Sequence, residues 1–262
     1  MDDPLEAWAE ALGSLALPEE ILRQAPASPW AFDPAVFLAR VAEARERIGL
    51  ARRWASEALP EGGRVLDVGC GAGAAGLALV SPAGLVHGVD QDPAMLAAFV
   101  EQATALGVAA ESTQGDWPTV APSVPAADVV VCHHVLYNVA ALAPFVRALD
   151  DHARRLVVVV VSAEHPLAWM APLWRRFWVL ERPRGPRAED LVAALGALGL
   201  PVEVGWDEEP VVPPSHDQAA EVCRRLCLPE DRRDEVAAAL AEQPRPSTRR
   251  LCVLRWAPAR AD

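Results

Sequence analysis

From residue 64 onward, short apolar runs alternate with stretches of helical period, and this alternation sets the expected architecture. Strands are predicted at 64–68, 85–89, 108–112, 127–132 and 155–162, with helices at 74–80, 93–106 and 141–151 between them. Val129–Cys132 and Val157–Val161 are apolar throughout, as strands of a parallel sheet covered on both faces must be. A helix at 188–198 stopped by Gly199, a strand at 202–206, helical pieces at 216–227 and 230–242 and a strand at 249–256 complete the pattern. Before residue 60 the period is helical. Asp33 can cap a helix over Pro34–Leu59 with Pro34 at its first position, and Val36, Phe37, Val41, Ala44, Ile48 and Leu50 trace its apolar face. Trp8, Leu12 and Leu15 suggest a shorter helix upstream. The expectation is a doubly wound α/β domain over 61–262, a helical cap over 1–60, and insertions at 163–187 and 207–247.

The chemistry concentrates where the first strand ends. Val65–Val68 runs into glycines at 69, 71 and 73 and carries one carboxylate, Asp67. Glycines at this spacing allow a tight turn and a close ligand approach to the main chain. The run Ala74–Val80 would place a helix N-terminus beneath that ligand. Two templates overlap here. Gly71-Ala-Gly-Ala-Ala-Gly76 satisfies the dinucleotide pattern, with Asp90 near the expected distance downstream, which points to NAD. Asp67 points away from a pyrophosphate, which a carboxylate would repel, and toward a ligand cationic at that end.

The Asp-x-Gly-x-Gly-x-Gly pattern at 67–73 resembles motif I of the class I S-adenosylmethionine-dependent methyltransferases. The resemblance implies a Rossmann-like, mostly parallel sheet closed by a C-terminal antiparallel strand, for which 249–256 has the right place. It implies S-adenosylmethionine as cofactor, with Asp67, Gly69, Gly71 and Gly73 in the turn and Asp90 accepting from both ribose hydroxyls. Gln114-Gly-Asp-Trp117 resembles the element that receives adenine, which implies Asp116 on the exocyclic amine and the Trp117 backbone at the ring; the indole of Trp117 could cover the adenine face. Cys132-His-His-Val-Leu-Tyr-Asn138 resembles the segment after strand four, which implies that the His133 carbonyl meets the methionine amino group. His134, Tyr137 and His165 are the candidates to touch a methyl acceptor, and a histidine suits removal of its proton.

Composition narrows the partners. The net charge is −12, and all 24 basic residues are arginine, so phosphate-driven nucleic-acid binding is disfavoured. No apolar run reaches membrane-span length, and the acidic start lacks the basic opening of a secretory signal, so a cytoplasmic protein is expected. The five cysteines form no Cys-x-x-Cys pair; Cys223 and Cys227, one helical turn apart, are read as neighbouring core thiols, and no metal site is expected. Arg175, Arg176, Arg182, Arg184 and Arg187 interleave with tryptophans, which suits an anionic substrate, a partner surface or solvated arginines over an aromatic core. The favoured acceptor is a small apolar-bodied molecule, with a nicotinamide-dependent oxidoreductase and a non-catalytic partner-binding module as the other readings.

Overall fold

The apolar runs become seven strands: β1 Gly63–Val68, β2 Ala83–Asp90, β3 Ala109–Gln114, β4 Ala127–His133, β5 Ala153–Ser162, β6 Glu203–Pro210 and β7 Thr248–Trp256. They form one sheet in the order β3-β2-β1-β4-β5-β7-β6 in this computed structural model, which describes residues 3–30, 41–211, 217–244 and 246–259. β1 to β5 pair in parallel, and β7 runs antiparallel to both β5 and β6. The carboxyl ends of β1 to β6 therefore share one edge of the sheet.

Alternation along the strands fills a core on each face. Leu66, Val130, Cys132, Val157 and Val159 pack on one side, and Val65, Val129, Val131, Val158 and Val160 on the other. The helices that cover them are α1 Pro4–Gly13, α2 Glu19–Leu22, α3 Leu50–Ala58, α4 Pro93–Ala105, α5 Leu142–His152, α6 Ala171–Trp178, α7 Ala188–Ala197, α8 Gln218–Arg225 and α9 Arg233–Glu242. None of the described helices is long and apolar enough to cross a membrane.

Two helices depart from the sequence expectation. The expected helix over 34–59 is helical at 41–46, breaks at 47–49 and resumes as α3. The break is imposed from β6. A Cβ on Gly49 would lie 2.7 Å from Asp207 Oδ2, and the Leu50 amide donates to that same oxygen at 2.8 Å. Arg47 then pairs with Asp207 at 2.9 Å and Glu209 at 3.3 Å, so strand carboxylates supply the cap. Ile48, expected on the apolar face, is 66% exposed, while Asp33, Pro34, Val36 and Phe37 lie outside the described residues. The expected helix over 74–80 is a series of turns ending in a 3-10 turn at Leu77–Leu79. Gly71 and Gly73 adopt φ of +51° and +96°, which regular helix does not allow, and Asp67 Oδ2 holds the Gly76 amide at 2.7 Å.

A third core was not foreseen. Leu17 and Ile21 near the N-terminus join Met170, Leu173 and Trp174 of the segment after β5 and Val222, Leu226, Val236 and Leu240 of the segment before β7. Cys223 and Cys227 are buried within it. Both excursions leave the sheet at its carboxyl edge, so this helical layer stands over the strand ends where ligands of such sheets bind. α1 belongs to the sheet itself: Trp8 is 1% exposed, and its Nε1 donates to the Val139 carbonyl at 2.9 Å.

Candidate functional site

The carboxyl ends of β1, β2 and β3 converge through main-chain bonds. The amides of Gly69 and Cys70 both donate to Val89 O, at 2.8 and 3.0 Å, tying the glycine turn to β2. Asp90 is the hub. Its Oδ2 accepts from the Gly71 amide at 2.8 Å, its Oδ1 from the Asp92 amide at 3.0 Å, and its carbonyl from the Gly115 amide at 3.0 Å. The last bond sets exposed Asp116 beside it. Asp92 caps α4 through the Ala94 amide at 2.8 Å.

Asp67 faces inward. It is 1% exposed, and burial lifts its carboxyl to about 7, with the Gly76 N–H opposing and the Asp90 charge adding. Its observed work is to hold the turn, not to present a charge at the surface. The glycines too are required by packing: a Cβ on Gly69 would collide with Val135 Cγ2, and one on Gly73 would lie 2.6 Å from Leu77 Cδ1 and 2.8 Å from Phe99 Cδ2. The Trp117 indole does not lie open for stacking. It is 5% exposed in the core, packs edge-on to His152, and donates from Nε1 to Phe145 O at 3.3 Å. Any contact of Trp117 with a nucleoside therefore falls to its backbone.

Beyond β4 the chain turns back over the glycines. The His134 amide donates to Val160 O at 2.7 Å, and His134 adopts φ of +62°, a region that histidine tolerates better than most residues. Val135 thereby lands on Gly69. His133 Nε2 is sealed from solvent with no hydrogen-bond partner, and burial pushes the imidazole down to about 4. Tyr137, expected near the acceptor, is committed to structure. Its hydroxyl donates to Ser162 O at 2.7 Å, and its ring stacks on Trp8 at 5.7 Å.

His165 meets the edge of Tyr137 at 5.2 Å, and its Nδ1 accepts from the Leu167 amide at 3.2 Å. Burial, assisted by the Arg182 charge, pushes it down to about 4, so it is a weak base. It lines a small cavity of ≈ 40 Å³, partly open to solvent, with Leu15, Leu17, Trp30, Met170 and Trp174. Sequence reasoning had not placed Trp30 or Met170 there, because three separate segments supply the walls. Arg182 caps the pocket, donating to the carbonyls of Leu15 and Ala16 and lying over the Trp174 ring at 5.6 Å. Arg175 pairs with Glu181 and Arg176 with Glu242, as arginines covering an aromatic core do.

The residues present fit the ribose of a nucleoside. The Asp90 carboxylate offers about four lone-pair positions, of which two are used, leaving room for two vicinal hydroxyls. The orphaned Nε2 of His133 lies at the end of β4. No group of three or more metal-binding side chains occurs among the described residues.

Residues 65–157 match the methyltransferase-domain family. No curated protein matches the sequence. Among solved structures, the YcgJ protein of Bacillus subtilis is similar with a TM-score of 0.56 at 18% identity, over 84% of this chain and 100% of that one. A candidate methyltransferase from Bacillus halodurans has a TM-score of 0.56 at 15% identity, over 80% and 97%. The magnesium protoporphyrin IX methyltransferase of Synechocystis, solved with bound SAH, has a TM-score of 0.49 at 16% identity, over 97% and 99%. At these identities the likeness is one of fold.

Proposed function

We propose that this chain, whose residues 65–157 form a methyltransferase domain of the class I S-adenosylmethionine-dependent superfamily, methylates a small apolar-bodied acceptor. When bound, S-adenosylmethionine supplies an activated methyl group on a sulfonium. The chain's own part is to bind, orient and exclude water.

The carrying observation is the bonding of Asp90. Its carboxylate clamps the glycine turn through Gly71 and the start of α4 through Asp92, yet keeps two acceptor positions for ribose hydroxyls. Asp116 beside it suits an exocyclic amine, with the Trp117 backbone at the ring edge. Gly69, Gly71 and Gly73 shape the turn, and Asp67 holds it from beneath. The acceptor would occupy the pocket beside His165, whose walls are largely apolar and aromatic. A histidine held near 4 stays neutral, so His165 would position the acceptor and would not draw a proton from it. Tyr137 would fix the loop that carries His134, which lies between the glycine turn and that pocket.

Calorimetric titration with S-adenosylhomocysteine and with NAD tests the reading. Micromolar binding of the first, no binding of NAD, and a loss of tenfold or more in Asp90→Ala are expected. Binding of NAD in place of S-adenosylhomocysteine overturns it.

A further inference from the structure

Three arginines of the segment after β5 pair with carboxylates: Arg175 with Glu181, Arg176 with Glu242 and Arg187 with Glu164. Arg182, in the same segment, is different. Its guanidinium donates to the main-chain carbonyls of Ala16, at 2.9 Å, and Leu15, and it makes no ion pair among the described residues. It is also half-buried, and that burial pulls its pKa below the ordinary arginine value. A partly desolvated charge without a counter-charge is costly to keep.

The surrounding walls add to the imbalance. The chain carries a net charge of −12, yet among the described residues the cavity lined by His165 holds two arginines and no carboxylate. Its second arginine, Arg225, already pairs with Glu221 at 2.8 Å. His165, held near 4, is neutral at working pH and neither adds to the positive charge nor offsets it. The remaining walls are apolar or aromatic. A cation without a counter-charge, in apolar walls that are partly open to solvent, suits an anion brought by a ligand.

The guanidinium keeps donors for such a ligand. An arginine side chain has five N–H bonds, and the two carbonyls take two of them, which leaves three. Its planar fork matches the two oxygens of a carboxylate. Size sets the limit. The cavity measures ≈ 40 Å³, room for about three waters, which fits a carboxylate and not a whole acceptor. The body of the acceptor must then lie outside. Trp30, a wall of the cavity with 49% of its surface exposed, offers a flat apolar face there.

We infer that Arg182 anchors a carboxylate at one end of the methyl acceptor, with the acceptor's apolar body laid across Trp30. This names the substrate class of the proposed site, an amphipathic carboxylate, and as a statement about methyl transfer it rests on the function proposed above. Arg182 selects the acceptor and takes no part in the displacement itself.

Phenylacetate and phenylacetamide share a body and differ in charge. In NMR titrations of the wild type at neutral pH, the carboxylate should bind about tenfold more tightly than the amide. The Nε–H resonance of Arg182 should move as phenylacetate binds, a readout that needs no variant to fold. Arg182→Leu should remove the preference, so that both compounds bind alike. Arg182→Lys, a point charge without the fork, should keep part of it. Arg182 also ties down residues 15 and 16, so the ratio of the two affinities is read, since damage to the fold weakens both together. Equal binding of the two compounds to the wild type, a preference that survives in Arg182→Leu, or no binding of either overturns the inference. S-adenosylhomocysteine is titrated separately. Its failure to bind, with the carboxylate preference intact, defeats the function proposed above and leaves the anion site standing. Its binding without that preference does the reverse.

Discussion

Val135 rests directly on Gly69, in the space that a Cβ at that glycine would need. The loop after β4 and the turn after β1 are therefore one packed unit, although about sixty residues separate them in sequence. Gly69 also holds φ of +69°, so a side chain there meets two independent penalties. Gly69→Ala should cost about 2–4 kcal/mol, from left-handed backbone strain and overpacking together. Trimming the neighbour in Gly69→Ala/Val135→Ala should relieve the crowding and leave the backbone strain. Urea unfolding of the single and double variants measures both parts, and wild-type stability in Gly69→Ala would refute the packing argument.

Tyr137 offers a clean separation of structure from chemistry. Its hydroxyl donates to Ser162 O, between the loop after β4 and the end of β5. Tyr137→Phe keeps the ring against Trp8 and removes that bond, so a stability loss of about 1 kcal/mol is expected. Affinity for S-adenosylhomocysteine should stay within twofold of the wild type. A tenfold loss of affinity without loss of stability would instead put the hydroxyl in the ligand site.

Stability should rise with pH between about 4 and 6.5. His133 and His165 stand near 4 in the folded protein, against an ordinary 6.5. As pH falls below 6.5 the unfolded chain takes up protons that the folded chain refuses, which favours unfolding. For sealed His133 the slope approaches about 1.4 kcal/mol per pH unit, and the more exposed His165 adds less. His87, also lowered by burial, acts in the same direction. Asp67 opposes them. Raised to about 7, it is protonated when folded and ionised when unfolded from about 3.8 upward, so its contribution is lost as pH climbs through 7. Urea midpoints measured from pH 4.5 to 6.5 should increase, more steeply in Asp67→Asn and less in His133→Gln. A midpoint that falls over this range would contradict the assignment of the histidines.

Legibility in the sequence followed the locality of the cause. Strands such as Val129–Cys132 and Val157–Val161 were readable because burial on both faces demands unbroken apolar runs. The antiparallel last strand came from the family resemblance, and the strand order only from the structure, since local pattern does not encode it. The break at 47–49 was invisible because carboxylates on β6 impose it. Ala74–Val80 misled by its helix formers, where the glycines and Asp67 set a different course. Asp90 and Asp116 were singled out because the polar ends of strands are conspicuous in sequence. The burial of the Trp117 indole and the Tyr137 bond to Ser162 O were invisible because a sequence displays side-chain chemistry but not the direction a ring faces.

The core beside the His165 pocket joins Leu17 and Ile21 to Trp174 and to Val236 and Leu240, residues more than two hundred positions apart at its limits. This layer is complete only once residues 222–240 join those at 17–21 and 170–174, whereas β1 to β5 can pair earlier. Contacts of such long sequence separation carry a large loop-closure cost and are expected to form late. That helical layer is then expected to assemble later, and to open more readily, than the parallel strands. Native-state hydrogen exchange should find the amides of α8 and α9 opening at lower free energy than those of β4 and β5.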